Sequence, residues 1–285
     1  MSKAELTLKS LYGNLSRGQR NLADFLLANL PKVPSLSVQT MAKAARVSAA
    51  TVSRLARKLG YHSLRDLKLE LARESAPMPG YFYREIGAED SDEELIDKVF
   101  LGNIKSLEDT LKMLDKAQLL AAVRRILQAR SVVFLGVGSS GFIAREAAMR
   151  FSMLGLPAHA FTDASELFFR ASTSGQRDVV IGISHSGRTL LTVRALELAR
   201  ANGALTVGIS NYLDSPLQAA SLYFFCTSFP ESRVRVTSLS SRIAQLGILD
   251  ALYLLAARFR KGSADYERIN ARMESLLRVP ERNRT

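Results

Sequence analysis

A glycine- and serine-rich stretch near the middle of the chain, FLGVGSSGFIAREAAMRF (134–151), contains Gly136, Gly138 and Gly141 in the spacing G-x-G-x-x-G. An apolar run, SVVFLG, precedes the glycines, and a helical pattern follows them. A strand, a glycine-rich turn and a helix in this order form a unit that brings backbone N–H groups close to a phosphate. The spacing alone does not say whether the ligand is a dinucleotide or a smaller phosphorylated molecule.

The segment that follows repeats this rhythm of a short apolar strand and a helix. Alternating strands and helices predict an α/β domain whose parallel sheet is covered by helices on both faces. We expect an open sheet of flavodoxin-like order, 2-1-3-4-5. The five predicted strands are residues 131–136, 157–162, 178–184, 204–210 and 222–226.

A second serine-rich loop, ISHSGRT (183–189), lies at the carboxyl end of the third predicted strand. It offers the hydroxyls of Ser184, Ser186 and Thr189, and we expect free N–H groups around Gly187. A helix N-terminus with small hydroxyl residues favours an anion, here one phosphate. The first and third strands are neighbours in the predicted order, so we expect both loops to converge on one crevice. If the ligand is a phosphorylated sugar, Ser139 and Ser140 of the first loop would contact its hydroxyls.

A dinucleotide site remains the alternative for the first loop. Such a site needs an acidic residue for the ribose about 20 residues beyond the glycines, and Asp163 stands near that distance. The second loop argues against it, because a single-phosphate site is a poor match to a pyrophosphate with its ribose. An NAD-dependent enzyme would bind nicotinamide and show no preference for phosphosugars.

Positive charge is concentrated at the amino end of the chain. The 285 residues carry a net charge of +12. Residues 1–76 hold 13 Lys and Arg against 5 Asp and Glu, an excess of 8, whereas the remaining residues hold 26 against 22, an excess of 4. This asymmetry suggests a polyanionic partner for the amino-terminal part.

That part also has the layout of a helix-turn-helix, in SVQTMAKAARVSAATVSRLARKLG (37–60). We predict a first short helix, a tight turn at residues 45–47, where glycine is usual in place of Arg46, and a second helix that buries Val52, Leu55 and Leu59. Ser48 is placed to cap the second helix. Small residues at the start of this second helix allow it to enter the major groove. Its Thr, Ser and Arg side chains can then contact base edges, and the Arg and Lys side chains at its far end can contact phosphates. The predicted DNA-binding residues are Ser48, Thr51, Ser53, Arg54, Arg57 and Lys58.

The composition sets the remaining expectations. We predict a helix-turn-helix domain over residues 1–76, a linker rich in proline and glycine over 77–92, and the α/β domain with its flanking helices over 93–285. Cys226 is the single cysteine, so neither a disulfide nor a metal site is expected, and no cofactor is predicted. The sequence contains no secretory signal or apolar run long enough to span a membrane, so we expect a cytoplasmic protein.

Taken together, GVGSSG and ISHSGRT resemble the sugar isomerase (SIS) domain, which binds phosphosugars. The preceding VSAATVSRLARKLGYHSLRDLKLEL (47–71) resembles the helix-turn-helix of the MurR/RpiR family of bacterial transcriptional regulators, and the late segment SLSSRIAQLGILDALY (238–253) also resembles a part of that family's sequence. The resemblance implies a homo-oligomeric regulator, a dimer or tetramer, of carbohydrate catabolism genes. It also implies that a phosphorylated sugar modulates affinity for a double-stranded operator, for which an inverted repeat is expected. The residues that match the family's ligand loops are Ser139, Ser140, Ser184, Ser186 and Thr189.

A phosphosugar isomerase with a basic accessory domain is the alternative from another class of protein. Isomerisation of a sugar phosphate needs a positioned base such as Glu or His. His159, His185, Glu166 and Glu231 are the candidates, but the spacing fixes no pair of them. We therefore predict no catalytic residue.

Overall fold

The computed structural model describes residues 3–30, 32–74, 90–228 and 239–277. The chain forms two compact units. The first unit contains residues 1–114 together with two later segments, 211–215 and 226–244, and the second unit contains the remaining residues. Most of the predicted linker, 77–92, lies outside the described residues.

The first unit is built from helices that enclose an apolar core. Leu22, Met41, Val52 and Leu55 are at most 2% exposed in this core. The unit begins with a helix that the sequence analysis did not identify, α1, which adds Leu8 to the same cluster. The helices of the first unit are α1 (Lys3–Leu11), α2 (Arg17–Ala28), α3 (Val38–Ala44), α4 (Ala49–Lys58), α5 (Leu64–Glu74) and α6 (Asp92–Met113).

The second unit contains the predicted five-stranded parallel sheet, and its strand order, β2-β1-β3-β4-β5, confirms the expected one. The strands are β1 (Ser131–Leu135), β2 (Ala158–Phe161), β3 (Asp178–Ile183), β4 (Leu205–Ser210) and β5 (Tyr223–Cys226). All residues of the three central strands are buried, as expected for a sheet covered on both faces. Cys226, which ends β5, is a buried thiol, as its position on an apolar strand predicts.

In the described residues, one helix precedes β1, one follows each of the strands β1 to β4, and two long helices follow β5. They are α7 (Lys116–Leu127), α8 (Ser139–Met153), α9 (Ala164–Thr173), α10 (Leu190–Ala201), α11 (Pro216–Ala219), α12 (Leu239–Arg260) and α13 (Ala264–Leu277). None of the helices in the described part of the chain is long and apolar enough to cross a membrane.

Candidate nucleic-acid interface and phosphate-binding loops

The turn between α3 and α4 depends on a left-handed residue. Arg46 has φ +54°, a region that non-glycine residues rarely adopt. This backbone lets the Val47 N–H donate to the Ala42 carbonyl at 2.9 Å, which ends α3 and turns Val47 back onto the core. The turn therefore has the geometry for which glycine is common, although arginine occupies the position.

Ser48 begins α4 as the sequence predicts. Its Oγ accepts the Thr51 N–H at 3.2 Å and lies 3.0 Å from the Thr51 hydroxyl. The Arg54 guanidinium in turn donates to the Thr51 hydroxyl at 3.3 Å. These contacts fix the amino end of α4 and orient Arg54 along the same side.

The two sides of α4 differ in the way a recognition helix requires. Val52 and Leu55 are 2% and 1% exposed, whereas Arg54 and Arg57 are exposed. Ser53 is half-buried, and its hydroxyl donates to the Ala49 carbonyl at 3.3 Å. The outward side thus presents two guanidinium groups and small hydroxyls, the groups that reach base edges and phosphates in a major groove.

Lys58 has partners within the first unit. Its Nζ donates to the Asn14 carbonyl at 3.0 Å and lies 3.4 Å from an Asp214 carboxylate oxygen. Asn14 also donates to the carbonyls of Leu213 and Asp214, at 2.8 and 2.7 Å. A lysine held by these contacts would have to give up some of them to bind a phosphate, so Lys58 differs from Arg54 and Arg57.

The first serine loop leaves β1 and enters α8 through closely packed backbone. Gly138 has φ +61°, and no side chain caps the helix that starts at Ser139. A Cβ on Gly136 would lie 2.6 Å from the Ser140 carbonyl oxygen, too close for any side chain. Ser139 is exposed and Ser140 is 8% exposed. The glycine spacing therefore serves the path of the backbone into α8.

The second serine loop is held by its own side chains. Ser184 is 1% exposed, and its Oγ lies 2.9 Å from the Thr189 hydroxyl and accepts the Gly187 N–H at 3.1 Å. Ser186 Oγ accepts the Arg188 N–H at 3.2 Å. The expectation of free N–H groups around Gly187 is therefore wrong for this conformation, because the loop serines accept from Gly187 and Arg188.

Both loops begin at the same edge of the sheet. Leu135, the last residue of β1, is paired with Gly182 near the end of β3, so the two loops leave neighbouring strands side by side. Thr189 occupies the cap position of α10, but its side chain makes no capping bond there, since the hydroxyl faces Ser184. The amino ends of α8 and α10 therefore point outward from adjacent strands without a side-chain cap.

The starts of α8 and α10 differ from those of the helices that have a side-chain cap. A Ser or Asp side chain accepts a first-turn N–H group in seven other helices, namely α2, α3, α4, α5, α6, α7 and α9. The N–H groups of an uncapped first turn carry partial positive charge, and they bind anions well. Both helices that follow the serine loops, α8 and α10, begin with such N–H groups.

The structure adds one residue to the predicted loop contacts. Ser210, at the end of β4, donates its hydroxyl to the His185 carbonyl at 3.1 Å and so anchors the second loop. A serine at the carboxyl end of the next strand is the sequence signal that points to this contact.

The acidic and histidine candidates have the following positions. Asp163 caps α9 by accepting the Ser165 N–H at 2.9 Å, which gives this carboxylate a structural role apart from any ribose. His159 is exposed on β2, and Glu166 is exposed in the first turn of α9. Glu231 lies outside the described residues. Within the described ranges, no group of three or more His, Cys, Asp or Glu side chains has the arrangement of a metal site.

A helix-turn-helix followed by an α/β domain of this strand order is the architecture of a ligand-responsive regulator. Residues 3–78 match the helix-turn-helix domain of the rpiR family, and residues 125–255 match the SIS domain. The chain is 32% identical over 245 residues to the transcriptional regulator HexR of Pseudomonas aeruginosa, an alignment that covers 86% of each protein. The chain therefore belongs to the RpiR family, and it is a helix-turn-helix transcriptional regulator.

Two further relatives agree with this assignment. RpiR of Escherichia coli is 27% identical over 246 residues, covering 86% of this chain and 82% of that protein. The structure of the Vibrio vulnificus NanR protein complexed with ManNAc-6P is similar with a TM-score of 0.60 and 26% identity, over 97% of this chain and 100% of that one.

Proposed function

We propose that this regulator binds a phosphorylated sugar at its two serine loops and that this binding changes its affinity for operator DNA. One observation carries the proposal: α8 and α10 follow neighbouring strands through serine-rich loops and have no side-chain caps, while seven other helices are capped. Uncapped N–H groups favour an anion. The NanR relative, whose structure holds a sugar phosphate, supports the choice of ligand.

We assign the phosphate to the second loop and the sugar to the first. Ser184, Ser186, Gly187 and Thr189 surround the start of α10, where the helix dipole attracts negative charge. A phosphate there would replace the bonds that Ser184 and Ser186 now make within the loop. Ser139 and Ser140, at the start of α8, would hold sugar hydroxyls.

Ligand binding would act on DNA affinity through a change in the arrangement of subunits. A ligand shifts an equilibrium only if it binds one arrangement better than the other. In a dimer or tetramer that reads an inverted repeat, the spacing between paired α4 helices must match half-sites one helical turn, or a multiple, apart. The proposed DNA contacts are Ser48, Thr51, Ser53, Arg54 and Arg57, with Lys58 only after release from Asn14 and Asp214.

We further propose that the protein is not an enzyme and acts in the cytoplasm on genes of carbohydrate catabolism. Isomerisation requires a base close to the reacting carbons. Among the candidate bases, His159 and Glu166 are exposed on β2 and α9, and His185 is half-buried in the second serine loop. No pair of these bases is fixed by the spacing of the sequence. A regulator that binds the chromosome works in the compartment that contains it.

Thermal unfolding against sugar phosphates tests the ligand. Each sugar phosphate is compared with its unphosphorylated parent and with NAD. A ligand at a concentration a hundredfold above its dissociation constant increases the free energy of unfolding by about 2.7 kcal/mol, which raises the melting temperature by several degrees. We expect a shift for one phosphosugar and none for its parent. A shift with NAD, or no shift in the whole panel, contradicts the proposal.

Paired variants locate the site. Ser184→Ala combined with Ser186→Ala should remove the shift and leave DNA binding intact. Ser172→Ala is the matched control, because Ser172 is an exposed serine of α9 whose hydroxyl donates to the Phe169 carbonyl. Conversion of the sugar phosphate into an isomer, followed by NMR, would instead support the isomerase.

A further inference from the structure

A short segment after β4, residues 211–215, is attached to the helices of the first unit. Leu213 packs against the apolar core of those helices. The side-chain amide of Asn14 donates to the carbonyls of Leu213 and Asp214, at 2.8 and 2.7 Å. The segment is therefore part of the first unit, although the residues directly before and after it belong to the second.

The Asp214 carboxylate is paired with Lys58, the last residue of α4. One carboxylate oxygen lies 3.4 Å from Lys58 Nζ, which also donates to the Asn14 carbonyl at 3.0 Å. A carboxylate and a DNA phosphate offer the same kind of anionic oxygen to an ammonium group. The Lys58 and Asp214 side chains are 29% and 48% exposed, and ion pairs with this exposure contribute little to stability. A DNA phosphate can therefore displace Asp214 from Lys58.

The residues on both sides of the segment are bonded to the second serine loop. Ser210 donates its hydroxyl to the His185 carbonyl at 3.1 Å, and the Leu217 N–H donates to the Gly187 carbonyl at 3.0 Å. Both bonds lie within the second unit. A change in the backbone of the second serine loop would therefore reach both ends of the segment that carries Asp214.

We propose that Asp214 competes with DNA for Lys58 and that the second serine loop controls this competition. A phosphate at the start of α10 would replace the bonds that Ser184 and Ser186 make within their loop. The loop carbonyls that hold the two flanking residues would shift, and the position of Asp214 relative to Lys58 would change. The inference rests on the proposed function for its ligand, whereas the competition between Asp214 and DNA needs no ligand.

A double-mutant cycle in the full chain tests the competition. Asp214→Asn removes the charge, and asparagine tolerates the left-handed backbone of this position, where φ is +52°. Binding to a mixed-sequence DNA duplex is followed by fluorescence anisotropy, because phosphate contacts do not depend on sequence. We expect Asp214→Asn to tighten DNA binding about two- to fivefold, and we expect this effect to disappear when Lys58→Gln is also present.

Asp24→Asn is the matched control for the loss of one negative charge. Asp24 is an exposed carboxylate of the same unit, and it accepts the Tyr12 hydroxyl at 2.7 Å, a bond that an amide oxygen can keep. Its effect on DNA binding should be smaller than that of Asp214→Asn and should be the same with and without Lys58→Gln. Equal effects of the two asparagine variants, or an effect of Asp214→Asn that survives Lys58→Gln, would overturn the competition.

Inorganic phosphate tests the link to the second serine loop. Its concentration is set to raise the melting temperature of the wild-type protein, and chloride at the same ionic strength is the reference. Phosphate should change DNA affinity more than chloride does, and this difference should shrink at least about twofold in Asp214→Asn. It should keep its full size in Asp24→Asn. A difference of unchanged size in Asp214→Asn overturns the link.

The two measurements separate this inference from the proposed function. If neither phosphate nor any sugar phosphate raises the melting temperature, the proposed ligand site is wrong, and the double-mutant cycle still decides whether Asp214 competes for Lys58. If a sugar phosphate binds and changes DNA affinity equally in the wild type and in Asp214→Asn, the proposed function stands and the link through residues 211–215 is wrong.

Discussion

Arg46 is the residue on which the helix-turn-helix geometry depends most directly. Its φ of +54° is costly for a side chain with a Cβ, and more so for a β-branched one. We expect Arg46→Val to lower the free energy of unfolding by about 1 kcal/mol or more. Arg46→Gly should be close to neutral, since relief of strain is offset by a gain of about 0.5–1 kcal/mol in unfolded-state entropy. Urea unfolding measures both variants.

A matched control for this prediction is Lys43→Val in the last turn of α3, where the backbone is helical. That change should cost less than about 0.7 kcal/mol, the usual spread of helix propensity. If valine at position 46 proves no more destabilising than valine at position 43, the left-handed turn does not limit stability.

Local sequence chemistry predicted some residue roles and missed others. Ser48 was predictable as a cap because a serine before an amphipathic run satisfies N–H groups a few residues away. The contacts of Lys58 were not, because Asn14 and Asp214 lie far along the chain and meet it only in the folded unit. The Gly187 N–H was missed for a different reason, because its acceptor, Ser184, is only three residues away and the sequence does not say whether that hydroxyl faces the loop or a ligand.

At the level of elements, the start of β3 depends on a buried carboxylate. Asp178 is 1% exposed, accepts two hydrogen bonds from Arg130 at 3.1 and 2.7 Å, and accepts the Gly175 N–H at 2.9 Å. Asp178→Ala would remove the acceptor of the partly buried Gly175 N–H and of the Arg130 guanidinium. We expect the free energy of unfolding to fall by at least about 2 kcal/mol, measured by urea unfolding.

Asp115→Ala provides the comparison, because Asp115 is an exposed helix cap that accepts the Gln118 N–H at 3.0 Å. Losing such a cap costs about 1 kcal/mol. Equal losses in the two variants would argue against a special role for the buried carboxylate.

Elements with a single strong pattern were predicted best. Apolar runs between turn residues identified all five strands, and the flavodoxin-like order expected for such a sheet is confirmed. Helix α1 was missed because its sequence, KAELTLKSL, alternates apolar and polar residues as a strand does, while in the helix Ala4, Leu6, Leu8 and Leu11 are all buried. The apolar residues of α6 recur at intervals of three and four, but such spacing cannot say which side of a helix is buried, and here the polar side is buried.

At the level of the whole molecule, the number of copies on the operator determines how strongly salt weakens binding. Each phosphate neutralised by a cation contributes about −0.9 to the slope of log K against log salt concentration. Arg57 is exposed on the outward side of α4, so we expect it to neutralise one phosphate per copy. Arg57→Ala should therefore reduce the magnitude of the slope by about 1.8 for a dimer and by about 0.9 for a single bound copy.

This measurement links the charge distribution to the assembly. The amino-terminal 76 residues carry an excess of 8 positive charges, so the slope of the wild-type protein should be steep, and a change of 1.8 should be resolved by fluorescence anisotropy over a tenfold range of salt. Arg124→Ala, which removes an exposed arginine of α7 in the second unit, should leave the slope unchanged. A change of 0.9 would mean that one copy binds DNA at a time, which contradicts the reading of an inverted repeat, and an unchanged slope would remove Arg57 from the interface.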